Sequence, residues 1–405
     1  MTDGRERVLT MNRGSATLKS TLYEVGGDPG KRAEALVSIS VAYSYTSSAR
    51  LKITDANGAT LLDSSVKGTD SNAALQAMFA WLDKHEYLSE LKAAGHRLVH
   101  GGARYTEPQR ITPKFLTALE KLVPLDPDHL PAAIKEIKFV AKKFQKLAQV
   151  ACFDTAFHSS LPTVAKMYAL PRRFYDEGFR RYGFHGLSFE YIVGELRKLD
   201  AKLAAGRVIV AHLGSGASMV ALQDGKSMDT SMGFTPLEGL VMSARSGDVD
   251  PGLLLYLLAE KKMSAKQAGT LLNKRSGLLG VSGSTGDMRE LLEKAPRDVP
   301  ATESIDLFCY RAKKCVGAYA AALGGLDALV FTGGIGERAP AIRQRICGGL
   351  DFLGIRLDAV RNTANAPVIS ATDSRVNVRV IQTNEDLMIV QHVITVLGEK
   401  TPGTH

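Results

Sequence analysis

Two stretches half a chain apart share one pattern, and it constrains the fold more than any other feature. RVLTMNRGSATLKSTL (Arg7–Leu22) aligns without a gap on RVIVAHLGSGASMVAL (Arg207–Leu222). Each reads as an apolar strand, a polar residue, a Gly-Ser turn and a second strand-like segment. Such a hairpin met twice predicts a duplicated domain with one phosphate-type loop per copy. In the first copy Gly14 permits a tight turn. Backbone N–H groups there, with the Ser15 and Thr17 hydroxyls, can surround phosphate oxygens, and Lys19 can add a cation. The G-x-x-x-x-G-K-[ST] spacing is absent, so this is no Walker A loop.

The rest of the chain alternates strands and helices. Strands are expected at LVSISVAYS, at LKITDANGATLLDS with a turn at Asn57-Gly58, and at QVACFD. Later ones fall at MVALQDGKSMD with a turn at Asp224-Gly225, at ALVFTGG and at VNVRVIQT. Helical spacing covers 72–85, 113–123 and 131–147, with a long helix within 304–323. This is an α/β chain, and 405 residues suit two or three domains of about 100–200 residues. No Pro/Ser-rich linker separates them.

Charge narrows the partners. A net charge of +9, from 51 basic and 42 acidic residues, suits an anionic ligand. The densest basic stretch, KEIKFVAKKFQK, carries Ile137, Val140 and Phe144 at helical spacing and reads as a solvated helix face. No nucleic-acid module, zinc spacing or G-x-S-x-G elbow is present, and a small phosphorylated or carboxylated ligand stays open. No apolar run approaches the ~20 residues that span a bilayer. The first residues lack a secretory h-region, so the cytoplasm is the expected location. Cys152, Cys309, Cys315 and Cys347 form no C-x-x-C pair and are expected as buried free thiols.

Chemistry-bearing residues sit at punctuated positions. HRLVHGGARYTEP sets Arg97 beside His100-Gly101-Gly102, and LVMSARSGDVDPG sets Arg245 before Ser246-Gly247-Asp248. An arginine among small residues can approach carboxylate or phosphate oxygens, although a salt-bridged surface role is the commoner fate of either alone. Asp154 ends one strand and Asn384-Glu385-Asp386 another, where acids are placed for a ligand crevice and for Mg²⁺. A helix cap or salt bridge is the competing reading for Asp154. For His185, between Phe184 and Gly186, it is a hydrogen-bonded core histidine. VFTGGIGERAP offers a glycine-lined surface, Gly333 to Gly336, for a flat base or ribose.

In order, NRGSATLK, HRLVHGG, FDTAFH, RYGFHG, RSGDVDPG, FTGGIGE and TNE resemble the acetate kinase family. That family belongs with sugar kinases, heat-shock chaperone ATPases and actin. The likeness spans nearly the whole chain. It implies reversible transfer of the ATP γ-phosphoryl group to acetate, giving acetyl phosphate and ADP, with Mg²⁺, for which Mn²⁺ can substitute. By the same resemblance Arg97, Asp154, His185 and Arg245 are the catalytic set, and Asn12 and Glu385 serve the metal. Ser15, Thr17 and Lys19 match the first phosphate loop; His212, Gly214, Ser215 and Gly216 match the second. Asp287, Met288, Arg289, Gly334, Ile335 and Arg338 match the nucleotide side. Val99, Leu125, Phe184 and Pro236 match the pocket for the acyl methyl group, with Arg97 also binding substrate.

The resemblance further implies two actin-like, ribonuclease-H-like domains with the active site in a cleft between them. They are expected at 1–155 plus 388–405, and at 156–387, in a homodimer that engages neither nucleic acid nor membrane. The loops depart from the family pattern. Arg13 replaces alanine, Ala16 and Thr17 replace serines, and Ser215 stands in HLGSG. Arg338 replaces asparagine, Ser243-Ala244 replaces Gly-Thr, and Asp126 replaces histidine. Pyrophosphate as donor, propionate as acceptor and a nucleotide sensor of weak or no turnover therefore stay open.

Overall fold

The computed structural model describes residues 6–14, 17–26, 33–43, 48–67 and 71–398. The chain divides into two compact units, Met1–Ala156 with Asn384–His405, and Phe157–Thr383.

The first unit is built on eight strands: β1 (Glu6–Arg13), β2 (Thr17–Val25), β3 (Glu34–Tyr43), β4 (Ser48–Asp55), β5 (Thr60–Lys67), β6 (Leu91–Leu98), β7 (Gln109–Arg110) and β8 (Ala148–Phe153). Their order is β5-β4-β3-β2-β1-β6-β8-β7. Strands β1 to β5 run as an antiparallel meander, whereas β1, β6 and β8 are parallel neighbours. Strand β1 is buried on both faces, Val8 to Met11, because helices cover both. On one side the helix Ser71–Lys84 buries Ala74, Leu75, Met78, Phe79 and Leu82, the stripe its 3.6-residue period dictates. Each large side chain so buried contributes about 1.5–3 kcal/mol. On the other side lies the helix Glu385–Gly398, which comes close over Gly95. A Cβ there would stand 2.3 Å from Ile389 Cγ2. The whole of that helix belongs to the first unit.

The second unit has five strands: β9 (Arg207–Leu213), β10 (Ala217–Gln223), β11 (Lys226–Thr230), β12 (Ala328–Thr332) and β13 (Asn377–Val380), ordered β11-β10-β9-β12-β13. As in the first unit, the leading strand pairs antiparallel with its hairpin partner and parallel with the strand on its other side. The helix Gly186–Leu199 packs Phe189, Ile192, Val193 and Leu196 on Val208, Val210 and Val220.

Some elements differ from their expected bounds for identifiable reasons. The helix Leu130–Lys143 stops before Leu147 because Phe144 leaves the helical region (φ −129°) and turns its ring onto Phe79, 5.2 Å away. The expected helix at 113–123 ends at Glu120, and Val123–Leu125, with Pro124 inside it, forms a separate 3-10 turn. The long helix begins at Val299, where Asp298 accepts from Ala301 N–H and Pro300 occupies the first turn. Gly333 opens the helix Gly333–Arg338 directly, where the sequence suggested a glycine loop. Its φ of 76° makes that abrupt start possible. Asn384-Glu385-Asp386 likewise open a helix and do not end a strand, Asn384 Oδ1 accepting from Leu387 N–H. The cysteines are free: Cys152, Cys309 and Cys347 are buried, and Cys315 is half-buried. No helix among the described residues is long and apolar enough to cross a membrane.

Candidate active site

In the first unit the carboxyl ends of the parallel strands gather one arginine and several acids. Arg97, near the end of β6, donates from Nε to both oxygens of Asp154 (3.0 and 3.1 Å) and from Nη2 to Oδ2 (2.6 Å). Its Nη1 donates to Asn12 Oδ1 (3.0 Å) and lies 3.6 Å from Glu385 Oε2. Asn12 in turn donates to Glu385 Oε2 (3.0 Å) and Asp386 Oδ1 (3.4 Å), and Asp386 also accepts from Thr21 (2.9 Å). Asp154 is 1% exposed. Burial raises its pKa against the pull of Arg97. Burial works equally against the Arg97 charge, but Asp154 and Glu385 overcome it and hold the guanidinium proton more tightly than usual. Asp386 is pushed up by burial, against its hydrogen bonds from Thr21 and Asn12.

The donors Asn12, Glu385 and Asp386 are oxygen ligands of the kind a hard cation takes. Among the described residues no group of three or more His, Cys, Asp or Glu side chains is arranged as a metal site. Asn12 and Glu385 could hold such a cation together with water and phosphate oxygens.

The strands of the first hairpin flank this cluster. Lys19 pairs with Asn12 across β1 and β2, so the two side chains share a face, and the Lys19 charge reaches Asp386. Gly14 N–H donates to Thr17 O (2.7 Å). Ser15 lies outside the described residues. Arg13 turns inward. Its guanidinium lies 4.2 Å over the Tyr43 ring and donates to Glu136 Oε1 at 2.9 Å. Glu136 is 2% exposed, and burial lifts it to about 7 despite Arg13. Val99 follows β6 and is buried; Leu125 closes the 3-10 turn.

The second unit supplies a second cluster, of one arginine and two histidines. His185 adopts a left-handed conformation (φ 59°) immediately before the helix Gly186–Leu199, a strained geometry for a residue with a side chain. Its Nδ1 lies 2.8 Å from Ser218 Oγ, and its ring stacks on His212 at 4.4 Å. His212 Nδ1 lies 2.8 Å from Ser188 Oγ, which meets Thr383 Oγ1. Gly216 sits against both His185 and Arg245. A Cβ there would stand 3.3 Å from His185 Nε2 and 3.9 Å from Arg245 Nη1. Arg245 Nη1 donates to the carbonyl of Pro236 (3.1 Å). The turn before His185 is fixed from below: His158 places Nε2 3.0 Å from Phe184 O and Nδ1 2.9 Å from Ser227 Oγ. Burial drives His158 down to about 4, so it is a neutral support.

Alongside is a cavity of about 730 Å³. Gly214, Ser215, Asp287, Met288, Arg289, Gly334, Ile335 and Arg338 all line it. Asp287 caps the helix Met288–Lys294 by accepting from Arg289 N–H (2.8 Å), and the exposed Arg289 guanidinium donates back to it (2.8 Å). Those hydrogen bonds hold the Asp287 carboxyl below its usual range. Gly333 fits under β9, where a Cβ would stand 2.8 Å from Leu213 O.

Thus Asn12, Lys19, Arg97, Asp154 and Glu385 cluster in one unit, and His185, His212, Gly216 and Arg245 cluster beside the cavity in the other. Val99 and Leu125 belong to the first unit, Phe184 and Pro236 to the second. Sequence reasoning assigned no role to Thr21, Glu136 or Arg343, and named Asp386 only within the acidic run Asn384-Glu385-Asp386. Asp386, adjacent to Glu385 at a helix start, was within reach of a capping argument. Arg343, fully buried, donates to the carbonyls of Gly336 (2.8 Å) and Asn362 (2.7 Å) and so braces the cavity wall. Nothing local in the sequence signals that.

Comparison with known proteins identifies the family. The family model described as the acetokinase family matches residues 7–391. An acetate kinase of Methylocella silvestris is 45% identical over 400 residues, 97% of this chain and 98% of that protein. One of Rhodopseudomonas palustris is 46% identical over 390 residues, 95% and 97% of the two chains. Among solved structures, a Francisella tularensis propionate kinase superposes with a TM-score of 0.89 at 36% identity, covering 96% of this chain and 98% of its own. The Porphyromonas gingivalis acetate kinase gives 0.86 at 37% identity, over 97% and 100%. With a family model matched almost end to end and relatives at this identity along the full length, the chain belongs to the acetokinase family.

Proposed function

We propose that the chain is an acetate kinase that moves the ATP γ-phosphoryl group directly to the acetate carboxylate, reversibly and with Mg²⁺. One observation carries the reading. The cavity wall at Gly214 and Ser215 continues into Gly216, which lies against His185 and Arg245. A nucleotide whose base and ribose rest by Gly334, Ile335 and Arg338 would therefore present its terminal phosphate to those two side chains.

The chemistry asks for charge management more than for a base. A carboxylate with a pKa near ~4 is ionised at neutral pH, so no group need deprotonate the nucleophile. The barrier lies in bringing one anion up to another and aligning them, which cations and fixed geometry relieve. Arg97 receives the carboxylate, its fork held rigid by Asp154 and Asn12. Arg245, oriented by the Pro236 carbonyl, and His185, oriented by Ser218, neutralise the phosphoryl group in flight. Asn12 and Glu385 would hold the Mg²⁺, which when bound neutralises the phosphate oxygens. Lys19, Thr17 and the Ser15 loop steady the phosphates. The resemblance assigns Val99, Leu125, Phe184 and Pro236 to the acyl methyl group; one more methylene is worth only about 1–3 kcal/mol in an apolar pocket, so propionate is the nearest competitor. The protein works in the cytoplasm, where ATP is abundant.

It works as a homodimer. The helix Pro251–Ala259 supports this, because Leu253, Leu255 and Tyr256 are all at least half exposed on it. The molar mass from light scattering checks the assembly.

The function is tested by trapping acyl phosphate with hydroxylamine, using acetate, propionate or butyrate against ATP or pyrophosphate, with Mg²⁺ present or chelated. Mg²⁺-dependent acetyl hydroxamate from ATP, exceeding the propionyl product, is expected. Turnover from pyrophosphate alone would replace the donor. ATP binding by folded protein without any product would make it a sensor.

A further inference from the structure

A hollow in the second unit lies outside every role assigned above. After the helix Pro251–Ala259 the chain reverses through Lys262, which is left-handed (φ 54°), into the helix Ala265–Lys274. This reversal borders an open hollow of about 440 Å³ with Met263 and Leu271 in its wall. Lys261, Lys262, Lys266 and Arg275 line the same hollow, and no aspartate or glutamate does. None of the four has an ion-pair partner among the described residues.

Four cations around one hollow with no acidic side chain in its wall present a positive surface that attracts an anion. Lysine ammonium groups offer three donors each and the arginine a planar fork, so the matching ligand carries several oxyanion charges in a small volume. A second hollow connects this one to the segment that carries Arg245. This second hollow, of about 340 Å³, shares Leu271 and Arg275 and is walled by Ser246, Ser276 and Gly277. Ser276 N–H donates to Ala244 O (3.0 Å), Leu278 N–H to Met242 O (2.9 Å) and Ser246 N–H to Leu272 O (3.0 Å). A Cβ on Gly277 would stand 2.1 Å from Met242 O, so there is no slack between the two segments.

We infer that this hollow is an effector site for a compact multivalent oxyanion, bound by Lys261, Lys262, Lys266 and Arg275 and linked through Ser276 to the Arg245 segment. Only the link to turnover rests on the role proposed for Arg245; binding stands without it.

The test titrates full-length protein, Mg²⁺-free and pre-incubated with excess ADP, with inorganic tripolyphosphate in one arm and tricarballylate in the other, by calorimetry. Wild type and K262E/K266E are compared, with circular dichroism and substrate KM values as controls for folding. Binding of either probe that weakens at least about tenfold in the double variant, and weakens with added salt, is expected. The probe that binds more tightly tells phosphate from carboxylate. Equal affinity in both proteins, no binding, or displacement of the probe by ADP overturns the site. At saturating probe, kcat or the acetate KM of wild type shifts by about twofold or more and that of the variant does not. Unchanged turnover in a probe-bound enzyme overturns the link to Arg245 and leaves the assignment of the kinase intact.

Discussion

Replacing Arg13 by alanine destabilises the protein by an amount that depends on pH, because it strands Glu136. In the wild type burial lifts Glu136 from 4.5 to about 7, and the Arg13 charge and hydrogen bond keep it from rising further. A carboxyl with a raised folded pKa binds its proton more tightly in the native state. Stability therefore falls as pH climbs from about 4.5 to about 7 and is level above that. At 1.36 kcal/mol per pH unit that fall amounts to ~3 kcal/mol. Without Arg13 the folded pKa rises, and the fall continues beyond pH 7 until the new value is reached. At pH 7 and below the carboxyl is largely protonated in the variant, so the loss there is mainly the hydrogen bond and the contact with Tyr43, ~2 kcal/mol together. Above pH 7 the deficit grows by about 1.4 kcal/mol per pH unit. Urea unfolding followed by Trp81, the one tryptophan, on the helix packed in the same unit, measures it between pH 6 and 9. A deficit that stays constant with pH, or one that still grows after Glu136→Gln is added, would refute the reasoning.

Three further substitutions probe separate parts of the account. Gly216→Ala sets a methyl 3.3 Å from His185 Nε2 and should lower kcat about tenfold or more, while ADP affinity by calorimetry changes little. An equal loss in ADP affinity would place Gly216 with the nucleotide alone. Gly95→Ala drives a methyl to 2.3 Å from Ile389 and should cost about 1–3 kcal/mol of unfolding free energy, recovered in part by Ile389→Ala; no recovery would locate the strain elsewhere. Arg97→Lys cannot reproduce the fork shared by Asp154 and Asn12, so kcat/KM for acetate should drop at least about 100-fold. A drop of less than about threefold would remove Arg97 from carboxylate binding.

The hairpins were readable in advance because alternation and a Gly-Ser turn are local signals, and both leading strands recur with the same neighbours. Arg97, Asp154 and Glu385 were likewise visible as charged residues at element ends, although only the fold brings Asn12 to Glu385, 373 positions later. Glu136 was hidden. It sits in a lysine-rich helix whose Lys135 and Lys138 are exposed, and nothing in that stretch marks one charge as turned inward toward Arg13. The same holds for Arg343, whose acceptors are mostly backbone carbonyls. Gly333 misled in the other direction, since a glycine pair reads as a loop until its positive φ is seen to start a helix under β9. The four exposed cations of the effector hollow were scattered charges in sequence, and only the reversal at Lys262 gathers them.

The central claim is a single direct transfer from ATP to the carboxylate, with Arg97, His185 and Arg245 managing charge and no enzyme nucleophile. The most direct measurement is the configuration at phosphorus after turnover of ATP made chiral at its γ-phosphorus. One in-line displacement predicts inversion in the acetyl phosphate formed. Retention would mean two displacements through a phosphorylated side chain, and would contradict the account.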